Sequence, residues 1–475
     1  MTIMQRHSRI RDWMDLCRVS NLPTIVSDSL LGISIGIIFN LAAGSREVEF
    51  LGGAIEVVIG MCCFYAAGMV LNGIVDRDVD ARERPSRPIA SGRIRMPWAW
   101  TGFITLMFLG FFLRPTSTGS PIPVAVAGLI GVWLLSAATS MRSSQLRKLA
   151  LAWCGIAIIA ALWWAIDMVF KVPPDLDPVA QFAHRAGSLF LDLSTLFIAV
   201  SLVAYNLLHQ RTAWSVVFLA ICRMFVPITL MLSITVPSGA FASHWTSLWS
   251  TNSFAGWFGV ASAFVAWFGV ASAFIPGVLA IHTVMLSLLA RREVAGEGVT
   301  YRCAKCAYPV HCESSGICSE CGCTFRKTPP LADRPLATRI AWSSMLIAPV
   351  ALIPLLVIYI PTVWSTVMYR SAGGGFLSFS ADFYGLFLVP GWVLPLTNLV
   401  LFLVTAIWFI IASTRAYRAA LTHPSRRPGA IGSLIAAFAL LDACGAAILH
   451  SPIICISCIG LWFITRWAQR KIPGS

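Results

Sequence analysis

Charged residues are scarce in this 475-residue chain. Asp, Glu, Lys and Arg together make up 12% of the sequence, whereas hydrophobic residues make up 57% and the mean hydropathy is +0.77. Soluble domains carry about a quarter charged residues, so this composition excludes an ordinary soluble globular protein. The apolar residues occur in runs of about 17 to 25, the length that crosses the hydrocarbon core of a bilayer. The sequence therefore predicts a polytopic membrane protein.

Acidic residues are scarcer than basic ones, with 21 Asp and Glu against 35 Lys and Arg and a net charge of +14. The apolar windows predict an all-α bundle of about twelve transmembrane helices, near residues 22–43, 51–75, 97–113, 121–140, 149–170, 188–208, 213–236, 258–290, 338–360, 385–412, 430–448 and 451–466. If these spans alternate from an inside N-terminus, 29 of the 35 basic residues fall in inside segments and 5 fall outside.

This charge asymmetry follows the positive-inside rule and predicts a cytoplasmic N-terminus. Membrane topology together with an anionic ligand then explains the excess of basic residues, so a nucleic-acid partner is not expected. We expect an integral, multi-pass protein of the bacterial inner membrane. The segments that follow the second and eighth predicted spans then lie on the cytoplasmic side.

Six of the 14 cysteines crowd into residues 303–323. Four of them form two Cys-x2-Cys pairs separated by eleven residues, the spacing of a tetrahedral Zn²⁺ site: Cys303, Cys306, Cys318 and Cys321. A pair of disulfides is the alternative, but the predicted reducing location favours metal. Four sulfur ligands leave no open coordination position, so the Zn²⁺ would be structural. Cys312 and Cys323 are spare thiols in this arrangement.

A stripe of polar side chains follows the second predicted span, in LNGIVDRDVDARERPSRPIASGRIR at 71–95. Asn72, Asp76 and Asp80 are spaced i, i+4 and i+8, so a helix that continues out of the membrane places them on one face. Their oxygens are hard ligands suited to Mg²⁺, which also binds substrate phosphates. Forked donors that suit a diphosphate follow: Arg82, Arg84, Arg87, Arg93 and Arg95. A solvated loop is the alternative, but it does not account for the aligned acids.

This segment resembles the UbiA superfamily of intramembrane prenyltransferases, whose first motif runs N-D-x-x-D-x-x-x-D and precedes an RPxRPxxSGR run. Asn72, Asp76, Asp80 and RPSRPIASGR at 84–93 match in order and spacing. RVSNLPT at 18–24 is similar to the family's entry to its first helix, and Tyr205 followed by Arg211 is similar to its Tyr-x5-Lys stretch.

The resemblance implies a helical bundle around a central cavity, capped at its cytoplasmic end by the aspartate loops. It implies Mg²⁺ on Asn72, Asp76 and Asp80, which would be the catalytic residues. The diphosphate of a prenyl donor would be held by Arg84, Arg87, Arg93, Tyr205, Arg211, Arg223, Arg291 and Glu293. His209 and His282, near helix ends, are interpreted as interfacial.

Three departures from the family pattern keep two functions open. Gly73 replaces the first acid of the motif, and Glu293 beside Arg291 stands where the family carries a second acidic motif. The third departure is added sequence, which gives three regions: a UbiA-like membrane domain with an extra hairpin at 1–298, a zinc ribbon at 299–328 and C-terminal spans at 336–475.

The leading hypothesis is Mg²⁺-dependent transfer of a prenyl group from a prenyl diphosphate to an unidentified acceptor within the membrane. The alternative is a non-catalytic protein that binds an isoprenoid lipid or scaffolds a membrane assembly, with the ribbon as a docking module.

Overall fold

A computed structural model of the chain describes residues 9–43, 51–113, 178–209, 215–236, 275–294, 301–302, 309–310, 349, 352, 393–422, 427–449 and 451–471. Within these residues the helices are α1 (Arg9–Leu16), α2 (Leu22–Ala43), α3 (Leu51–Val75), α4 (Arg77–Glu83), α5 (Met96–Phe112), α6 (Pro178–Leu208), α7 (Ser215–Thr235), α8 (Ile275–Val294), α9 (Val393–Thr422), α10 (Arg427–Ile448) and α11 (Pro452–Lys471). A 3-10 turn at Val19–Asn21 leads into α2.

The described helices confirm an integral membrane protein whose described membrane spans are all helical. Seven stretches are long and apolar enough to cross a bilayer: Val19–Asn40, Gly53–Val75, Phe190–Leu208, Ser215–Thr235, Leu396–Ala419, Gly429–Ile448 and Pro452–Lys471. Shorter apolar stretches at Met96–Phe112 and Ile275–Ser287 coincide with two further predicted spans. The spans predicted near 121–140 and 149–170, and all but residues 349 and 352 of the span near 338–360, lie outside the described residues, so the total of twelve stays a prediction.

Helix α2 is the central element of the described bundle. It contacts α3, α7, α10 and α11. Its side chains belong to both buried apolar clusters, with Ile33 in the cluster around α3, α5 and α6 and Leu31 in the cluster around α8, α9 and α10. The first predicted span therefore joins the N-terminal and C-terminal helices into one packed unit.

A close approach of α2 to α7 depends on glycine. Gly32 and Gly36 are four residues apart on one face of α2, a spacing that lets helix backbones approach in membranes. A Cβ atom at Gly32 would lie 2.7 Å from the Cα atom of Pro227 and 2.8 Å from the Cβ atom of Leu230. Pro227 itself has no N–H group to bond the Arg223 carbonyl one turn earlier, which loosens α7 at this point.

Candidate functional site

The predicted acid stripe lies where α3 leaves the bundle. Helix α3 ends at Val75, and Asp76 bridges to α4 with φ −83° and ψ 0°. The helical hydrogen-bond pattern nevertheless continues, because the Asp76 amide donates to the Asn72 carbonyl at 2.9 Å and the Asp80 amide donates to the Asp76 carbonyl at 2.8 Å. The predicted stacking of Asn72, Asp76 and Asp80 on one face follows from this continuity.

Both carboxylate oxygens of Asp76 have protein partners. The Asn72 side-chain amide donates to Oδ2 at 2.8 Å, and His209 Nε2 lies 2.9 Å from Oδ1. The other ring nitrogen of His209, Nδ1, lies 2.8 Å from the carbonyl oxygen of Asn206. Since both ring nitrogens face acceptors, the imidazolium form can donate to both. The position just after the C-terminus of α6 also favours a positive charge.

Asp80 is held by an arginine of the same loop. Arg87 Nη1 lies 2.8 Å from Oδ2 and 3.0 Å from Oδ1 of Asp80, and both side chains are largely buried. Burial raises the pKa of the Asp80 carboxyl, and the Arg87 guanidinium acts in the opposite direction. The loop is therefore tied to the end of α3 by an ion pair whose carboxylate also belongs to the predicted metal site.

Arg18 is a site residue that sequence reasoning missed. It adopts the left-handed conformation, with φ 47° and ψ 50°, and among the described residues it is the one non-glycine with a positive φ. Its side chain lines a pocket together with Asn72, Asp80 and Arg87. Burial, followed by the nearby Arg87 guanidinium, lowers the pKa of Arg18. The available signal was a basic residue directly before the first apolar span.

Gly73 lines the same pocket and is packed against two apolar side chains. A Cβ atom there would lie 2.8 Å from Leu16 Cδ1 and 3.2 Å from Ile89 Cδ1, so these side chains occupy the space that a larger residue would need. Both side chains also line the pocket. An acid at this position would have to displace them, so the first carboxylate of the family motif is replaced here by close packing.

The donor set fits Mg²⁺ by its chemistry. Two carboxylates and an amide oxygen are hard ligands, and Mg²⁺ commonly takes one or two carboxylates and completes its shell with water and substrate phosphates. Within the described ranges no group of three or more His, Cys, Asp or Glu side chains forms a ready metal site. Asp76 and Asp80, with Asn72, would hold the cation by exchanging their present donors.

Other residues predicted to bind the diphosphate have different surroundings. Arg93 lies 2.8 Å from Asp12 of α1 and donates to the Ser86 carbonyl, so its described contacts fasten the loop to α1. Tyr205 stacks on His209 with ring centroids 5.5 Å apart, and Arg84 interacts electrostatically with Arg18. Of these three residues, Arg84 contacts one of the two aspartates, because its amide donates to the Asp80 carbonyl at 2.8 Å.

Several predicted residues cannot be placed. Arg211 and the four zinc-site cysteines lie outside the described residues. Arg291 and Glu293 belong to α8, but their side chains lie outside the described part of the chain. Within the predicted ribbon, strand β1 (Tyr301–Arg302) pairs antiparallel with β2 (Pro309–Val310).

Arg223 lies deeper, within a membrane-spanning stretch of α7. Its guanidinium Nε lies 2.8 Å from Oδ2 of Asp28, and Nη2 lies 3.1 Å from Oδ1. The guanidinium carbon sits 3.6 Å above the ring centroid of Phe438. Its described partners are thus protein groups, and its predicted role in binding the diphosphate stays a prediction.

His209 was also missed as a site residue. Its contact with Asp76 joins positions 133 residues apart, and no short sequence motif encodes that separation. The interpretation of His209 as an interfacial residue leaves out this contact. A histidine directly after an apolar helix was the only local signal.

These helices and this loop define an integral membrane protein with an acid–arginine site at one end of its bundle. Residues 32–190 match the UbiA prenyltransferase family, and this range contains the stripe Asn72, Asp76 and Asp80 together with the arginine loop.

Curated relatives carry the same family resemblance at low identity. The chain is 28% identical over 169 residues to a 4-hydroxybenzoate octaprenyltransferase of Pectobacterium atrosepticum, covering 35% of this chain and 55% of the relative. It is 30% identical over 139 residues to the enzyme of that name from Methylococcus capsulatus, covering 29% and 44%. It is 28% identical over 106 residues to a digeranylgeranylglyceryl phosphate synthase of Methanocaldococcus jannaschii, covering 22% and 34%.

The chain spans about half the length of these relatives or less. No solved structure matches it.

Proposed function

We propose that the protein transfers a prenyl group from a prenyl diphosphate to an acceptor within the membrane, in an Mg²⁺-dependent reaction. The observation that carries the proposal is the stripe of Asn72, Asp76 and Asp80 beside a pocket lined by Arg18 and Arg87. The names of the two octaprenyltransferase relatives support it, because they describe transfer of a prenyl group. The acceptor is not identified by any residue of the site.

The pocket residues suit the charge that develops as the donor reacts. The C–O bond to the prenyl group breaks and its electron pair leaves with the diphosphate, so donors aimed at the diphosphate oxygens stabilise the transition state. Arg18 and Arg87 are these donors. Mg²⁺, when bound, would neutralise part of the diphosphate charge. The prenyl chain would lie among apolar spans, and the acceptor would bond to its first carbon.

Binding of the prenyl diphosphate would require the paired side chains of the site to change partners. Arg87 now pairs with Asp80, and His209 with Asp76. When a diphosphate enters, Arg87 turns its donors to the phosphate oxygens and Asp80 becomes available to the cation. Further guanidinium donors in this proposal are Arg84, Arg211 and Arg291.

The first prediction concerns the two aspartates. Purified protein in detergent, supplied with labelled prenyl diphosphates of several lengths, Mg²⁺ and a membrane-lipid extract as the source of acceptor, is expected to release diphosphate. Asp76→Asn and Asp80→Asn are expected to lower that release by a factor of 100 or more, because each removes a charged ligand, in line with the roughly 100- to 1,000-fold effect of removing one transition-state contact.

Asp78→Asn is the matched control, because Asp78 lies on the same short helix but is exposed. It is expected to leave the rate unchanged. An equal loss of diphosphate release in all three variants would show that the total charge of the loop, and not the position of the two aspartates in the stripe, determines the rate.

A second candidate is a non-catalytic protein that binds an isoprenoid lipid. Two observations favour it: Leu16 and Ile89 fill the position of the missing acid at Gly73, and Asp76 and Asp80 already have protein partners. Stable binding of a labelled polyprenyl lipid that is independent of Mg²⁺ and of Asp76→Asn, without diphosphate release, would favour this candidate over the enzyme.

A further inference from the structure

A second polar centre lies inside the membrane-spanning part of the bundle. It joins three helices that are far apart in the sequence, with Asp28 on α2, Arg223 on α7 and Asp442 on α10. Asp28 and Asp442 are fully buried, and each lies within a stretch long enough to cross the bilayer. Ionisable groups at such depth are costly unless they are paired, so their arrangement needs a physical account.

The two carboxyl groups interact with each other electrostatically and also have separate partners. The Arg223 guanidinium lies 2.8 and 3.1 Å from the two oxygens of Asp28. The hydroxyl of the neighbouring Ser27 donates to Oδ2 of Asp442 at 2.5 Å. Oδ1 of Asp442 is buried and has no hydrogen-bond partner among the described residues.

Two carboxylates cannot hydrogen-bond to each other when both are ionised, because each offers only acceptors. Two ionised acids and one guanidinium would also leave a net charge of −1 in the membrane interior. One proton removes both problems, since it supplies the missing donor and makes the group of three residues neutral. Adjacent carboxyl groups in proteins commonly share a proton for this reason.

We propose that Asp28 and Asp442 form an intramembrane proton-binding site, in which one proton is held between the two carboxyl groups while Arg223 neutralises the remaining charge. The geometry points to Asp442 as the residue that carries the proton. Asp28 receives two guanidinium contacts and is the carboxylate, whereas Oδ1 of Asp442 is the oxygen left to donate. A bound metal cation in the same place is disfavoured by the Arg223 guanidinium beside it.

The other titratable groups that interact electrostatically with this centre are Tyr65 of α3, His282 of α8, Cys444 of α10 and Cys458 of α11. Tyrosine and cysteine are uncharged near neutral pH. The His282 ring packs edge-on against Phe438, with centroids 4.5 Å apart. These neighbours add no second fixed charge. Two acids, one guanidinium and one proton together therefore carry no net charge.

Infrared spectroscopy of the full-length protein in lipid nanodiscs tests this site directly. We expect the C=O stretching band of a protonated carboxyl group at neutral pH, shifted in D₂O. The band is expected to vanish in Asp442→Asn and to persist in Asp78→Asn, which changes an exposed carboxyl group. Absence of the band in the wild-type protein overturns the proposal, and so does a band that remains in Asp442→Asn.

Ser27→Ala provides a variant that keeps all three charged side chains. Loss of the Ser27 hydroxyl removes the hydrogen bond to Oδ2 of Asp442, so the carboxyl band is expected to move to higher frequency. An unmoved band would assign the proton to another residue. This variant decides the question even where Asp442→Asn fails to fold.

Stability measurements give an independent readout. If the folded protein holds one proton that the unfolded chain releases, the equilibrium constant for unfolding increases about tenfold for each pH unit. This increase is expected at pH values between the titration of the acid in the unfolded chain and the titration of the pair in the folded protein. Asp442→Asn is expected to remove this dependence while remaining folded, because its amide N–H can donate where the carboxyl O–H did. An unchanged slope contradicts the site. Neither readout uses prenyl transfer, so the result does not depend on the proposed activity.

Discussion

Arg18 shows at the level of a single residue how the site departs from ordinary backbone preferences. A left-handed conformation costs an L-residue about 1–2 kcal/mol, and glycine normally takes such positions. Here an arginine occupies it, between the 3-10 turn and the end of α1, and its side chain enters the pocket of Asn72 and Asp80. Strained residues are common at binding sites, so the conformation of Arg18 agrees with a role for its side chain in the pocket.

Variants of Arg18 separate backbone strain from charge. Arg18→Gly relieves the left-handed strain, so it is expected to be about 1 kcal/mol more stable than Arg18→Ala in thermal unfolding. Both variants lose the guanidinium and are expected to bind Mg²⁺-diphosphate about tenfold more weakly, the cost of one charge-assisted hydrogen bond, as measured by titration calorimetry.

Arg82→Ala is the control for charge alone, since Arg82 is exposed and bonds to the Asp78 carbonyl. It is expected to change neither stability nor affinity. Equal stability of the glycine and alanine variants would argue against the strain at Arg18.

At the level of elements, the contact between α2 and α7 fixes the depth of the polar centre. Gly32 of α2 meets the backbone of Pro227, one turn after Arg223. That approach brings Arg223 to Asp28, one turn before Gly32 on the facing helix. The close packing of Gly32 against Pro227 thus decides that Arg223 and Asp28 meet.

Gly32→Ala is expected to destabilise the protein by about 2 kcal/mol. The added methyl group meets main-chain atoms of Pro227 that cannot rotate away, and overpacking costs of this kind are about 1–3 kcal/mol. Gly460→Ala in α11, where nothing lies within 4 Å of the added atom, is the control and is expected to gain up to about 1 kcal/mol from helix propensity. The midpoint of thermal unfolding in detergent measures both, and a neutral Gly32→Ala would contradict the close approach.

The zinc ribbon is a second prediction at this level. It rests on the spacing of the two Cys-x2-Cys pairs in the sequence. Elemental analysis is expected to find about one Zn²⁺ per chain. Cys303→Ser and Cys318→Ser are expected to abolish it, whereas Cys62→Ser, at a cysteine of α3, leaves it intact. Metal content that does not respond to the ribbon variants would remove this prediction.

At the scale of the whole molecule, the C-terminal helices complete the bundle beyond the part matched to the UbiA family. Helix α11 reaches back to the start of α2, where Gln469 donates to Asn21 Oδ1 at 3.1 Å and to the Gly432 carbonyl at 2.8 Å. Helix α10 supplies Asp442 to the buried centre. The described helices after residue 190 therefore take part in the packed core.

Membrane orientation is the prediction that belongs to this scale. Because 29 of the 35 basic residues fall in predicted inside segments, the N-terminus, the aspartate loop and the ribbon are expected on the cytoplasmic side. The cysteines of Ser86→Cys and Ser475→Cys are expected to resist a membrane-impermeant thiol reagent in intact cells and to react in inverted vesicles, each measured against the labelling of the unsubstituted protein. The cysteine of Ser117→Cys, in a predicted outside segment, is expected to behave in the opposite way. Labelling of Ser86→Cys in intact cells would reverse the predicted orientation.

The sequence by itself determined the class of protein and the stripe of Asn72, Asp76 and Asp80. It also determined nine of the predicted spans, which overlap with described helices. These depend on composition, run length and a spacing of four residues, all of which are local. Tertiary structure decided which side chains meet these residues. His209 reaches Asp76 across 133 positions, and Asp28, Arg223 and Asp442 come from three separate helices. Helix packing makes those contacts, and the physical reason is that the bilayer requires every buried charge to find a partner within the bundle.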